Sequence, residues 1–223
     1  MSFSLGGFDW QLALYMWISV VLTGAIAWLL SRRATAGVPG VGQAMMEFVF
    51  GFIGDLAGGS MDVTQNLGFL SYLVMLFLFL LVANFQGMIP GLQSPTANLN
   101  VTAALALMTF GLMWYRGFRS QGVRYLNHWF HPGGITGYLM FPINMIEDFS
   151  KPLTLAFRLF GNILVGEVFM EVIADATGFG YFKGGFALGF AWWGFTAFVN
   201  VVQAFIFMIL TLSYVAQAQA HEL

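Results

Sequence analysis

The order of apolar and polar residues along the chain predicts several long helices. The first apolar segment, from Trp10 to Ser31, carries no Asp, Glu, Lys or Arg and ends at two arginines. A helix that crosses a membrane needs about 20 mostly apolar residues. Residues 10–31 are therefore predicted to form the first membrane span.

Residues 40–57 are predicted to form an amphipathic helix. Apolar side chains recur there at helical spacing, whereas Glu47 and Asp55 fall on the other side. Such a helix lies in the membrane interface, which is the interpretation adopted here, or packs on the end of a helix bundle. Neither arrangement assigns chemistry to these residues.

The stretch from Val63 to Tyr115 contains no charged residue and is too long for one helix. Two prolines, Pro90 and Pro95, divide it, because proline removes a backbone donor and clashes with the preceding turn. We therefore expect a second span at about 67–89 and a third at about 100–118.

The remaining apolar segments predict two more spans, at about 152–176 and 184–218. The chain is thus expected to be an all-α integral membrane protein, a single membrane domain over residues 1–223, with about five transmembrane helices and one interfacial helix. The last span is longer than the hydrocarbon layer is thick, and we expect the last two spans to be long and tilted.

Composition supports the membrane assignment. Hydrophobic residues make up 59% of the chain and charged residues 8%, whereas soluble domains carry about 25% charged residues. The net charge of −2 provides no basic surface for nucleic acid. The absence of cysteine excludes disulfides and thiolate metal sites, and His128 and His131, which lack nearby carboxylates, are interpreted as interfacial rather than as metal ligands.

The basic residues of the loops predict the orientation. With five spans, the arginines of two loops fall on one side of the membrane and only Lys183 falls on the other. Because basic loops face the cytoplasm, the N-terminus is expected outside and the C-terminus in the cytoplasm. The first span lacks the features of a signal peptide and is expected to be retained.

The fourth predicted span holds an arginine, Arg158, where a charge is costly. A charge at the bilayer centre costs about 2.5–3.5 kcal/mol on insertion scales. At about 100° per residue, Glu167 lies on the opposite side of the helix from Arg158, while Asn162 shares the arginine's face. The two charged groups therefore cannot form a simple pair within the helix.

Two interpretations of Arg158 remain open from the residues alone. The arginine pairs with Glu147 or Asp148 of its own chain, or it meets an acidic group on another subunit. Glu167 is interpreted as a proton- or ion-relay group in an aqueous pocket, or as a carboxylate that extends to the outer surface. Glu171 and Asp175, nearer the helix end, fit the second description better.

The last span carries a polar stripe formed by Thr196, Asn200, Gln203 and Tyr214. Polar side chains in membrane helices often only bond neighbouring helices. The stripe could equally face Arg158 and take part in ion translocation. Gln203 is the member of the stripe for which we favour this functional role.

Several segments resemble the a subunit of rotary F-type ATP synthases. LTLAFRLFGNILVGE and QAFIFMILTLSY are similar to the signature runs of its last two helices. NFQGMIPG and SPTANLNVTAALAL resemble its connection between the second and third spans, and PINMIEDFSKPL is similar to the bacterial and chloroplast-type members. The resemblance covers about residues 40–218.

The resemblance implies a non-catalytic stator subunit of the Fo proton channel. Such a subunit packs against a ring of c subunits, each with a membrane carboxylate, and against the b subunits of the peripheral stalk. The arginine matching Arg158 faces the ring, between two aqueous half-channels. The glutamate matching Glu167 belongs to the outer half-channel, and the glutamine matching Gln203 lies close to the arginine. Asn162 and Asn200 are the further residues expected on the path.

One position departs from the family pattern. Many bacterial members have a histidine seven residues before the glutamine, where this chain has Thr196. Because threonine does not titrate there, Glu167 is expected to carry more of the outer pathway, with Asn200 and water helping. The implied location is a bacterial plasma (inner) membrane.

Two other functional classes compete with this interpretation. A self-contained channel or secondary transporter would use Arg158 to bind an anionic substrate, but no internal repeat is evident. An intramembrane hydrolase would need a nucleophile or metal motif, and the chain has neither HExxH nor a serine nucleophile elbow.

Overall fold

The computed structural model describes most of the chain as helices. The described residues are 10–32, 40–59, 61, 66–89, 92–122, 125, 134–176 and 186–220. All regular structure within these ranges is helical, which confirms the predicted all-α class. The helices are α1 (Trp10–Ser31), α2 (Val41–Gly58), α3 (Leu67–Gln86), α4 (Leu99–Gln121), α5 (Gly134–Ala176) and α6 (Phe186–Ala220), with a 3-10 turn at Pro95–Ala97.

The connection between α3 and α4 follows from its turn residues. Helix α3 ends at Gln86, three residues before the end of the predicted span. The 3-10 turn begins at Pro95, whose fixed φ suits a first helical position. The side chain of Asn98 then caps α4 by accepting a hydrogen bond from the backbone N–H of Asn100 at 2.9 Å.

Helix α5 is much longer than the span expected within it. It runs for 43 residues and contains both Pro142 and Pro152, whereas the predicted span began only at residue 152. Proline interrupts the hydrogen bonding of a helix without always ending it, because neighbouring helices and side chains can satisfy the freed carbonyl groups. The segment before Pro152 is therefore a continuation of the same helix.

The interior consists of two clusters of apolar side chains, and α3, α4 and α6 contribute to both. One cluster joins α2, α3, α4 and α6 around Leu73, Met113 and Met208. The other joins α3, α4, α5 and α6 around Leu80, Leu159 and Phe207. Helix α5 therefore meets the bundle through one face, on which Leu155, Leu159 and Ile163 are buried at spacings of four residues.

The outer surface of the bundle is strongly apolar. Large hydrophobic side chains are exposed on α1, on α5 and on α6, among them Trp17, Phe157 and Phe198. Three helical segments are long and apolar enough to cross a membrane: Trp10–Ser31, Leu67–Gln86 and Phe190–Gln219. A membrane location is thus supported, while the count of five spans and the tilt of the last two stay predictions.

Helix α2 combines a buried edge with an exposed apolar face. Ile53 and Ala57 are buried in the core, and the ring of Phe52 stacks with that of Phe205 on α6 at 5.8 Å between centroids. Val41 and Phe48 are exposed. Part of this helix therefore packs on the bundle, and the rest of its apolar surface is available to the membrane interface.

Candidate functional site

Arg158 lies on the outward side of α5, beside the face that packs into the bundle. Its side chain is exposed, and its neighbours on that surface include the exposed apolar residues Phe157 and Val165. It has no hydrogen bond or ion pair with any other described residue. Within the described residues, Arg158 is thus an uncompensated cation on an apolar helix surface.

Neither candidate partner within the chain pairs with Arg158. Asp148 is buried and forms an ion pair with Lys151, with 2.7 Å between Oδ1 and Nζ. Glu147 is exposed, and its backbone carbonyl accepts a hydrogen bond from the Ser150 hydroxyl. Over the described ranges, Arg158 therefore does not pair with either Glu147 or Asp148, the two partners that the sequence had left possible.

Asn162 on α5 and Gln203 on α6 lie within hydrogen-bonding distance of each other. Asn162 follows Arg158 by one helical turn, and its Nδ2 donates to Gln203 Oε1 at 3.3 Å. Gln203 is only 4% exposed, and its own Nε2 is buried without a hydrogen-bond partner among the described residues. An unsatisfied buried donor costs about 1–3 kcal/mol, so this amide is suited to bind a further group.

Thr196 lies at a contact between α5 and α6. A Cβ added to Gly166 would meet the Thr196 methyl group at 3.4 Å, and Trp192 Nε1 donates to the Gly166 carbonyl at 3.4 Å. The Thr196 hydroxyl is buried and has no partner within the described part of the chain. It is a second unused polar atom on the polar stripe of α6.

Asn200 takes part in a different contact, with Asn84 of α3. Asn84 Nδ2 donates to the Asn200 carbonyl at 3.3 Å, and Asn200 Nδ2 donates to the Asn84 carbonyl at 3.2 Å. Thr96 donates to Asn84 Oδ1 at 2.9 Å, and its hydroxyl lies 2.6 Å from that of Ser94. The stripe on α6 therefore divides between α5, through Gln203, and α3, through Asn200.

Sequence reasoning missed Asn84, Ser94 and Thr96. The available signal was an amide near the end of an otherwise apolar span, followed by hydroxyl side chains around Pro95. Polar groups at such positions need partners, and the structure links these three residues in one network, of which Asn84 is the member that bonds Asn200.

Glu167 lies within α5, but its side chain is outside the described residues, as are the side chains of Glu171 and Asp175. His128, His131 and Lys183 also lie outside them. Their predicted roles stay predictions.

The fold and the site define a class, namely an α-helical membrane protein in which an exposed arginine, Arg158, lies one helical turn from a hydrogen-bonded amide pair. A family model described as ATP synthase A chain matches residues 13–216. The chain belongs to this family, which confirms the resemblance seen in its sequence.

Relatives from several bacteria support the same assignment. ATP synthase subunit a of Desulforamulus reducens is 36% identical over 208 residues, covering 92% of this chain and 78% of the relative. That of Rubrobacter xylanophilus is 36% identical, covering 93% and 83%, and that of Bacillus subtilis is 31% identical, covering 87% and 86%.

Proposed function

We propose that this chain is the stator subunit of the Fo proton channel, in which Arg158 faces a rotating ring of carboxylate-bearing c subunits. Membership of the ATP synthase A chain family supports the general role. The observation that carries the proposal is the exposed guanidinium of Arg158 on an apolar surface, without a partner among the described residues. A permanent cation in this position favours an acidic partner on another subunit.

The chemistry of such a contact produces directional ion movement. A protonated ring carboxylate is neutral and can enter lipid, whereas an ionised one cannot do so cheaply. Close to Arg158 the positive charge favours the ionised carboxylate and lowers its pKa. The proton leaves towards one half-channel, and another arrives from the second half-channel before that site returns to lipid.

The fixed charge of Arg158 also separates the two half-channels. A proton that moved directly from one to the other would have to pass a guanidinium, which cannot be deprotonated in proteins. The membrane potential adds about 2.3 kcal/mol per charge per 100 mV and biases the rotation. Proton flow is then coupled to movement of the ring and to ATP synthesis.

The neighbouring polar residues are proposed to serve the path beside Arg158. Gln203 and Asn162 form a hydrogen-bonded pair. The Nε2 group of Gln203, which has no partner among the described residues, can donate to water or to the ring carboxylate. Asn200 and Glu167 are proposed for the outer half-channel, in which Thr196 replaces the histidine of many bacterial members. The b subunits of the peripheral stalk complete the expected partners.

The proposed location is a bacterial plasma (inner) membrane, with the N-terminus outside and the C-terminus in the cytoplasm. The basic residues that support this orientation include Arg116 and Arg119 at the end of α4. The exposed apolar surface of the described helices supports a membrane location.

The proposal is tested by replacing Arg158 in the assembled synthase. Arg158→Ala should reduce ATP synthesis driven by a proton gradient to background, and Arg158→Lys should not restore it, because lysine is shorter and can lose its proton. Arg119→Ala is the matched control, since Arg119 is also exposed and its described bond is to a neutral group, the Tyr115 hydroxyl. That variant should keep normal coupling.

Normal coupled synthesis with Arg158→Ala would contradict the proposal. Anion transport by the purified chain in vesicles without a c-ring would instead support the alternative of a self-contained transporter.

A further inference from the structure

The turn of α5 that precedes the arginine is weakened by a proline. Pro152 is buried inside the helix, six residues before Arg158. Proline has no N–H, so the carbonyl of Asp148, four residues earlier, receives no helical hydrogen bond from it. Sharp bends in helices occur mostly at prolines and similar interruptions, so the direction of the helix after this turn needs another constraint.

An ion pair spans this same turn. Asp148 Oδ1 lies 2.7 Å from Lys151 Nζ, and the two residues are the first residue of the interrupted turn and the residue directly before the proline. Asp148 is 3% exposed and Lys151 is half-buried, so the pair is screened less than an exposed surface pair. The pair therefore ties together the two ends of the segment that lacks its backbone bond.

Hydroxyl groups provide further bonds around the turn. Ser150 Oγ donates to the Glu147 carbonyl at 2.7 Å, and Thr154 Oγ1 donates to the Ser150 carbonyl at 2.9 Å. These groups stabilise carbonyls on either side of Asp148. The ion pair is the charged part of this arrangement, and charged hydrogen bonds are about twice as strong as neutral ones.

The same lysine connects the turn to the other helices. Lys151 Nζ lies 5.9 Å from the centre of the Tyr214 ring on α6, within the range of a cation–π contact. Lys151 and Pro152 also line a small cleft together with Thr109 of α4 and Tyr214. The turn is thus held at the point where α4, α5 and α6 meet.

We propose that Asp148 and Lys151 are positioning residues whose ion pair fixes the proline-weakened turn of α5 and so sets where Arg158 stands against the ring. The inference rests on the proposed function of Arg158 and adds to it the device that orients the arginine. Neither residue touches the transported proton. Their effect reaches the reaction only through the direction of α5.

The test removes both charges at once, so that neither is left buried alone. The double variant Asp148→Asn with Lys151→Met is introduced into the complete synthase, and proton-driven ATP synthesis is measured per assembled complex. We expect a loss of about tenfold to a hundredfold, because misplacing a reacting group by about 1 Å has effects of that size. Co-purification of the c-ring should be unchanged.

Replacing the proline separates a positioning role from a general structural one. Pro152→Ala restores an N–H to the turn, so it should recover most of the activity lost in the double variant. Pro142→Ala is the matched control, because Pro142 lies in the same helix but two turns before Asp148. It should recover none of the activity.

Several outcomes would overturn the inference. These are full activity in the double variant, no recovery with Pro152→Ala, or equal recovery with Pro142→Ala. If the double variant does not assemble with the ring, adding Pro152→Ala to it should restore assembly, whereas adding Pro142→Ala should not. Failure of Pro152→Ala to restore assembly contradicts the inference. Arg158→Ala is measured in parallel: an inactive Arg158→Ala beside a fully active double variant refutes the positioning role alone, whereas an active Arg158→Ala refutes the proposed function.

Discussion

Replacing Asn84 with alanine should destabilise the helix bundle about twice as much as replacing Asn200, although the two side chains are the same size and face each other. The Asn84 side chain donates to the Asn200 carbonyl and accepts from Thr96. The Asn200 side chain makes one described bond, to the Asn84 carbonyl. Asn84→Ala thus removes two of these bonds and Asn200→Ala one.

The expected loss of unfolding free energy follows from the number of hydrogen bonds removed, since burial and side-chain size are the same for the two asparagines. Asn84 and Asn200 are 1% and 2% exposed, so the cavities left by alanine are similar. Side-chain hydrogen bonds between membrane helices contribute about 0.6 kcal/mol each on average. We therefore expect losses of about 1.2 kcal/mol for Asn84→Ala and about 0.6 kcal/mol for Asn200→Ala.

The free energy of unfolding can be measured for the purified chain in mixed micelles, by titrating SDS and following tryptophan fluorescence. Asn100→Ala is the control, because Asn100 is an exposed amide near the start of α4, and it should change the free energy very little. The bond-counting argument is wrong if Asn200→Ala costs as much as Asn84→Ala, or more.

Two further predictions concern α4 and the segment that follows it. Gly117→Ala should destabilise the chain by about 1–3 kcal/mol, because the added Cβ would lie 2.5 Å from the Tyr125 ring. Gly111→Ala in the same helix is the control: its Cβ would meet nothing within 4 Å, so it should be neutral or stabilising. Thermal unfolding of both variants measures the difference. Burial, followed by the negative charge of Asp148, raises the pKa of the Tyr125 phenol from 10.0 to about 12. The folded state thus favours the neutral phenol, so this contribution to stability is fully present below pH 10.0 and is lost as the pH rises through about 12. Tyrosinate absorbance of the parent chain minus that of Tyr125→Phe should show this late titration, and a midpoint near 10 would disprove it.

The all-helical class and the family could be predicted from the sequence because their signals are local. A run of about 20 residues without a charge is a property of the segment itself, since the bilayer excludes charges whatever the tertiary structure. The motif around Arg158 is likewise contiguous. Helical geometry alone also placed Asn162 on the arginine's face, and the Asn162–Gln203 bond is consistent with that placement.

The extent of α5 could not be predicted in the same way. The apolar pattern predicted a span from residue 152, but the helix begins at Gly134. Propensity describes the cost of proline at its own position. The bonds that Lys151, Ser150 and Thr154 make to residues three or four positions earlier are seen only in the structure.

The tertiary structure decided how the polar residues are paired. In the sequence, Thr196, Asn200 and Gln203 form one stripe, and Asp148 is a candidate partner of Arg158. In the folded chain Gln203 meets α5, Asn200 meets Asn84 of α3, and Asp148 pairs with Lys151. The sequence by itself determined that a costly arginine stands in an apolar helix. Only the packing of α3, α5 and α6 decided that Gln203 bonds Asn162 and that Asn200 bonds Asn84, because these bonds depend on distances of about 3 Å between residues far apart in sequence. Arg158 was left facing outward.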